Sequence, residues 1–272
     1  MRPPWRSKKR AAETVAGADR PIFFIHVMKT GGTTVFRNLR ENYPLQELYP
    51  YKDLDIQFDG LRLDIRHHLS VSYLLSLSPE RRSQIKVYTG HFPFVATELM
   101  GADHTTMTIL RDPIDRTVSL LRQFRRKAPW MDDSYREPPM ATRTLEEVYE
   151  HPLIFGPLIR NHQTKIFSMR ESDNPESYMD LLDVDEARLE LAKHNLDKVD
   201  IVGLTERYDD LLDELEERFG WVVDREARAN PTPRSEVQEV DPSLLERIAE
   251  DNAIDIEFYR YAQEVQARRT RR

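Results

Sequence analysis

Apolar residues gather in short runs along this chain, separated by longer segments with helical spacing. Pro21-Ile-Phe-Phe-Ile-His-Val27 is apolar on both alternations and rich in β-branched and aromatic side chains, as a strand buried on both faces requires. Gln84–Gly90, Thr105–Leu110 and Val199–Gly203 share that length and character, and predict three further strands. A helix is expected over Thr33–Asn42. After the Thr105–Leu110 strand, Arg111-Asp112-Pro113 breaks the run, with Asp112 as N-cap and Pro113 at the first position of a helix over Ile114–Lys127. Helical patterns also cover Thr144–Glu150, Pro157–Met169 and Glu186–Leu196. Asp209–Phe219 places Leu211, Leu212, Leu215 and Phe219 on one face, and Gly220 stops it. Ser243–Gln266 reads as one final helix. Ala128–Pro139 and Asn230–Pro242, each with three prolines, read as surface loops.

Strands that alternate with helices predict a three-layer α/β fold, a mostly parallel central sheet with helices on both faces. The boundaries follow from composition: a basic, disordered tail over 1–20, a single domain over 21–266, and a basic C-terminal tail over 267–272. In such sheets ligands bind beyond the carboxyl ends of the strands.

Composition narrows the functional classes. The 272 residues are 39% hydrophobic and 32% charged, enough to bury a core under a strongly charged surface. No apolar run approaches the roughly 18–20 residues that span a bilayer, and the basic N-terminus lacks the apolar segment of a secretory signal. A cytoplasmic protein is expected. The net charge of −7 is uneven. Arg2, Arg6, Lys8, Lys9 and Arg10 crowd one end and Arg268, Arg269, Arg271 and Arg272 the other, leaving an acidic body. An acidic body argues against general nucleic-acid binding, while the basic ends leave contact with a membrane surface or nucleic acid open beside plain solvation. The absence of cysteine excludes disulfides, thiolate zinc sites and a cysteine nucleophile. The histidines and carboxylates show no metal-ligand spacing such as H-E-x-x-H, so no metal is expected.

Two segments carry chemistry. Phe24-Ile-His-Val-Met-Lys-Thr-Gly-Gly-Thr-Thr34 is a strand, a glycine turn and a helix start. Gly31 and Gly32 allow a sharp turn that presents backbone N–H groups without an intervening Cβ. The helix beginning at Thr33 adds unpaired N–H donors and the positive end of its dipole. Thr30, Thr33 and Thr34 offer hydroxyls and Lys29 a mobile cation, together a cradle for a tetrahedral anion. In a nucleoside-triphosphate loop of the form G-x-x-x-x-G-K-[ST] the lysine follows the glycines; here it precedes them. The second segment, Thr108-Ile-Leu-Arg-Asp-Pro-Ile-Asp-Arg-Thr-Val-Ser119, sets Arg111 at a strand's carboxyl end and Ser119 about two helical turns on. A forked guanidinium and a hydroxyl can hold a second phosphate from two sides.

Taken together the two segments resemble sulfotransferases that use 3′-phosphoadenosine 5′-phosphosulfate (PAPS), most of all the carbohydrate branch, sulfotransferase family 2, with the heparan sulfate 2-O- and 6-O-sulfotransferases and bacterial relatives. Lys29-Thr-Gly-Gly-Thr33 resembles the loop that holds the 5′-phosphosulfate, and Arg111 with Ser119 the 3′-phosphate site. Tyr88-Thr-Gly-His-Phe-Pro-Phe94, Asn161-His-Gln-Thr-Lys165, Val202-Gly-Leu-Thr-Glu-Arg207 and Asn252–Tyr259 extend the likeness over about Pro21–Ala262. Met28 stands where that loop more often has proline, and Lys165 where arginine is usual.

The resemblance implies a sulfotransferase fold related to the phosphate-loop proteins. It implies PAPS as co-substrate, Lys29, Thr30, Gly31, Gly32, Thr33, Thr34, Arg111 and Ser119 as its contacts, and catalysis by Lys29 and His91. The family's Gly-His position points to His91 as the base, and an imidazole of unperturbed pKa roughly 6.5 suits that work near neutral pH. Glu98 is a weaker alternative. His26 reads as a hydrogen-bonded core residue within its strand, and His67, His68 and His104 lack context. The acceptor implied is a hydroxyl of a glycan, glycolipid or glycosylated metabolite, met by loops such as Asp53–Ser70 and Ala128–Pro139. A small-molecule kinase and a catalytically silent nucleotide-binding scaffold are the alternatives.

Overall fold

The computed structural model describes residues 20–50, 69–127, 140–225 and 240–270. Among these residues five strands, β1 (Ile22–Ile25), β2 (Leu48–Tyr49), β3 (Val87–Gly90), β4 (Thr105–Leu110) and β5 (Ile201–Leu204), pair in parallel in the order β2-β3-β1-β4-β5. Among the described residues the α-helices are α1 (Gly32–Asn42), α2 (Val71–Leu75), α3 (Pro79–Gln84), α4 (Val95–Leu99), α5 (Pro113–Lys127), α6 (Leu145–Tyr149), α7 (Pro152–Ile154), α8 (His162–Ser168), α9 (Glu186–Lys198), α10 (Tyr208–Phe219), α11 (Pro242–Asp251) and α12 (Ala253–Thr270).

The doubly apolar strands have the two-sided burial that their pattern predicts. Phe23, Ile25, Tyr88, Leu110 and Val202 pack to one side, against Leu121 of α5, Phe167 of α8, Leu196 of α9 and Phe258 of α12. Ile22, Phe24, Val87, Met107, Ile109 and Ile201 pack to the other, against Val35 and Leu39 of α1, Leu211 and Leu215 of α10, and Trp221. The fold is therefore α/β, with helices on both faces of a parallel sheet. Each fully buried Leu, Ile or Phe stabilises it by about 1.5–3 kcal/mol.

Local signals start and stop the helices as expected. Asp112 Oδ1 accepts from the amides of Ile114 and Asp115 at 3.0 Å each, and Pro113 opens α5. Gly220, at φ 65°, closes α10 with its N–H on the Glu216 carbonyl at 2.9 Å. A phase of +65° is open to glycine at no steric cost.

Elsewhere the structure departs from expectation, and the short helices α2, α3 and α4 were not foreseen. The two-residue β2 is too short for a pattern to reveal. The segment Pro157–Met169 is not one helix: a π-helical turn spans Phe155–Ile159, and α8 begins only after Asn161, whose φ is 46°. The final helix is two, parted at Asn252. That break and the one at Asn161 are joined, since Asn161 N–H donates to Asn252 Oδ1 at 3.0 Å and Asp255 N–H to Asn161 Oδ1 at 3.1 Å. Side chains that complete each other's backbone hydrogen bonds override the helical periodicity of both segments.

The last helix continues past Gln266 to Thr270. Arg269 donates to the carbonyls of Asp200 (3.1 Å) and Asp197 (3.3 Å), and Arg268 pairs with Asp197 at 3.5 Å. Two of the four C-terminal arginines thus have partners within the molecule. The N-terminal basic residues up to 19, Arg271 and Arg272, His67 and His68, the Ala128–Pro139 excursion, and most of Asp53–Ser70 and Asn230–Pro242 lie outside the described residues. Among the described residues no helix is long and apolar enough to cross a membrane.

Candidate active site

The chain leaves β1 for β2 at the sheet's edge, returns through β3 beside β1, and then crosses to β4 on β1's other side. That reversal opens a crevice at the carboxyl ends of β1, β3 and β4. The loop after β1, His91 after β3 and Arg111 after β4 all lie there.

The β1 loop is held in an unusual conformation. Lys29 has φ 70° and Gly31 φ 97°, so two of three successive residues are left-handed on either side of Thr30. Gly31 tolerates this for want of a Cβ, whereas Lys29 does so under strain. Tyr208, the first residue of α10, backs the loop: its ring would meet a Cβ on Gly31 at 3.2 Å, and its hydroxyl lies 3.4 Å from the Gly31 carbonyl oxygen. Burial raises the Tyr208 hydroxyl's pKa, so it stays protonated and can donate.

Gly32 opens α1, and its missing Cβ is replaced by a neighbour. The imidazole of His26 sits where that Cβ would be, 1.9 Å from its ideal position. His26 is therefore not the core residue expected. It lies just past the end of β1, half-buried, stacked on Phe24 with centroids 5.1 Å apart, and its ring is 4.4 Å from that of His91. Gly32→Ala is expected to destabilise the fold by about 1–3 kcal/mol through overpacking. Much of that cost should vanish in a His26→Ala background, where the space is vacated. A cycle of thermal melts measures the coupling, and additive losses would show that the contact does not matter.

The remaining loop residues divide. Thr33 is exposed, and Thr34 is buried with its N–H on the Gly31 carbonyl at 3.0 Å. Thr30 differs from expectation: it is fully buried and its hydroxyl donates to the Val27 carbonyl at 2.9 Å, so it braces the loop from within.

Arg111 joins the two motifs. Its Nη1 donates to the Lys29 carbonyl at 3.3 Å, and its Nη2 lies 3.9 Å from Asp115 one turn along α5. Ser119 follows one turn beyond Asp115, and Gln123 one turn beyond Ser119, on the same helical face. Gln123 Oε1 accepts from Lys29 Nζ at 2.5 Å. Ser119, half-buried, thus sits on the stripe between the residue that touches Arg111 and the one that touches Lys29.

His91 follows β3 directly. Its Nδ1 lies 2.8 Å from the His26 carbonyl, which can only accept, so Nδ1 carries the proton and Nε2 keeps its lone pair. Burial and the charge of Lys29 push its pKa below the usual imidazole value, although the bond to His26 works in the opposite direction. Tyr178 lies against it with ring centroids 5.2 Å apart, and burial raises the tyrosine to about 12. His162 also packs on Tyr178, its ring centroid 6.1 Å away and nearly perpendicular, and is kept neutral by burial.

The other candidates lie elsewhere. Glu98 is exposed on α4 and paired with Lys198 at 3.1 Å. His104 is buried, edge-on to Phe23 and Tyr88. Lys165 is pushed down to about 7 by burial, a value that would suit a base, but its ammonium is committed to the carbonyls of Pro157, Tyr178 and Asp180 at 2.7–2.8 Å. It ties the π-turn to the Tyr178 segment.

Four residues near these groups were given no role from the sequence, although Gln163 and Thr205 lie in segments that extend the resemblance. Gln123 could be found only by continuing the i, i+4 stripe beyond Ser119. Thr205, just past β5, donates to the carbonyls of both Thr30 (2.8 Å) and Leu110 (3.2 Å) and so ties the two motifs together. Tyr178 and Gln163 come from segments remote in sequence, where only the fold brings them near.

No family model matches the sequence, and no curated protein matches it. Among solved structures the chain is similar to a sulfotransferase from Alicyclobacillus acidocaldarius, with 17% identity, a TM-score of 0.40, and coverage of 88% of this chain and 94% of that one.

Proposed function

We propose that the protein is a sulfotransferase that moves a sulfuryl group from PAPS to a hydroxyl group of a carbohydrate or glycoconjugate. The observation that carries the reading is the hydrogen bond from Arg111 to the Lys29 carbonyl, which joins two segments 82 residues apart. The motifs' resemblance to the carbohydrate branch supports the acceptor class. The glycine turn, packed against His26 and Tyr208, suits a tetrahedral anion, and the cationic and hydroxyl groups of Arg111 and Ser119 suit a phosphate.

When bound, the co-substrate supplies an activated sulfuryl group whose bond to the phosphate oxygen breaks as the acceptor oxygen bonds to sulfur. Lys29 neutralises the negative charge that gathers on the departing phosphate oxygen, as electrostatic stabilisation of a displacement requires. His91 Nε2 takes the acceptor hydroxyl's proton. Amides of the loop and of α1, with Thr33 and Thr34, hold the 5′ end, and Arg111 with Ser119 the 3′-phosphate. The products are a sulfate ester and adenosine 3′,5′-bisphosphate.

Titration with adenosine 3′,5′-bisphosphate in chelator tests the reading. Wild type is expected to bind without metal. Arg111→Ala should lose about 10- to 150-fold, the value of about 1.5–3 kcal/mol for hydrogen bonds to a charged group. Binding that needs magnesium would favour a kinase, and no binding by folded wild type would remove the reading.

A further inference from the structure

We propose that Gln163 is a positioning residue for the 3′-phosphate site, because its side-chain amide extends the sheet by one residue and so fixes the backbone from which Arg111 projects. The proposal rests on the sulfotransferase reading only for the identity of the ligand that Arg111 meets.

Sheet pairing ends just before Arg111. On one side Leu110 is the last residue of β4 paired to β5, opposite Leu204; on the other, β1 ends at Ile25, opposite Thr108. Arg111 therefore needs other partners for its main chain, and Asp112 already begins the cap of α5. Gln163 supplies both partners. Its Oε1 accepts from Arg111 N–H at 3.1 Å, and its Nε2 donates to Arg111 C=O at 2.8 Å. A primary amide has the donor and acceptor of a peptide group on one plane, so it can stand in for a neighbouring strand.

Gln163 is itself anchored. It is fully buried, and its own N–H donates to Asp255 Oδ2 at 3.0 Å. Asp255, also fully buried on α12, accepts from the Thr164 amide and hydroxyl at 2.7 Å each through its other oxygen. The neighbouring Asn161 exchanges bonds with Asn252 and Asp255, as described above. The first turn of α8 is thereby locked to α12, and the lock reaches Arg111 through a single side chain. Arg116 closes the same region from α5: it is fully buried, and its Nη2 donates to the carbonyls of Leu158 (2.9 Å) and Ile159 (3.2 Å).

The experiment compares two probes that differ only in the 3′-phosphate, adenosine 3′,5′-bisphosphate and adenosine 5′-monophosphate, titrated in chelator. Wild type should prefer the bisphosphate, and Arg111→Ala should lose that preference. Gln163→Met keeps the volume of the side chain and removes both hydrogen bonds. It should weaken bisphosphate binding about tenfold, as the loss of polar partners at a charged contact does, and leave monophosphate binding within about twofold. General damage to the fold would weaken both probes alike, which would overturn the proposal. Gln163→Glu keeps the acceptor for Arg111 N–H but sets a carboxylate against Arg111 C=O, so it should not rescue the preference. This second variant carries the comparison if Gln163→Met does not fold. A bisphosphate preference intact in Gln163→Met and lost in Arg111→Ala overturns this proposal alone. A wild type without the preference, or an Arg111→Ala protein that keeps it, removes the functional reading first and this proposal with it.

Discussion

Lys29→Ala is expected to lower the transfer rate by about a hundred- to a thousandfold, the usual cost of removing one preorganised group that stabilises developing charge, while adenosine 3′,5′-bisphosphate still binds within about tenfold. The split follows from geometry. The main chain of Lys29, including the carbonyl that accepts from Arg111, survives the substitution, whereas the ammonium that now rests on Gln123 is lost. The position also carries a backbone cost. At φ 70° a residue with a Cβ is strained by about 1–2 kcal/mol, which Lys29→Ala inherits and Lys29→Gly relieves. Glycine's greater chain entropy opposes that gain by about 0.5–1 kcal/mol. Lys29→Gly should therefore melt slightly above Lys29→Ala, and both should be inactive. Transfer retained within tenfold in either variant would remove Lys29 from the chemistry. A lower melting point for the glycine variant would show that the left-handed turn is not strained.

The main outline of the fold was legible because its strands are buried on both faces. A run such as Ile22–Ile25 has no polar alternation to mislead, and Asp112-Pro113 marks a helix start by chemistry that does not depend on context. The glycine turn after β1 was legible for a similar reason: glycines beside a strand end serve a backbone requirement local to the loop. What stayed hidden depends on contacts across the fold. His26 looked like a strand residue because nothing in sequence says that its ring fills the space above Gly32. Asn161 and Asn252 looked helical because their breaks depend on hydrogen bonds across the fold: Asn252 Oδ1 accepts from Asn161 N–H, 91 residues away, and Asn161 Oδ1 from Asp255 N–H. Thr30 looked like a ligand donor, but its hydroxyl turns inward to Val27. Lys165 illustrates the reverse: burial lowers its pKa into a functional range, and only the three carbonyls around it show that its work is structural.

His91→Ala should lower turnover by about 10² to 10⁴-fold, as loss of a general base does, with little change in nucleotide affinity. Its more specific signature lies in pH. A base acts only when neutral, so the wild-type rate must rise with pH as His91 loses its proton and then level off. Burial and the Lys29 charge both favour the neutral ring, which puts that rise below the ordinary imidazole value near 6.5 and the plateau at neutral pH. In His91→Ala the rise should disappear, leaving a slow rate that is flat over the same range. An unchanged acid limb would assign the base elsewhere. Lys29→Ala offers a check that needs no turnover. With the neighbouring positive charge gone, protonated His91 is less disfavoured, so its ring should titrate at higher pH by NMR than in wild type. A downward shift or none would mean that the two groups do not share one electrostatic environment, and a site in which one neutralises the leaving oxygen while the other takes the proton requires that they do.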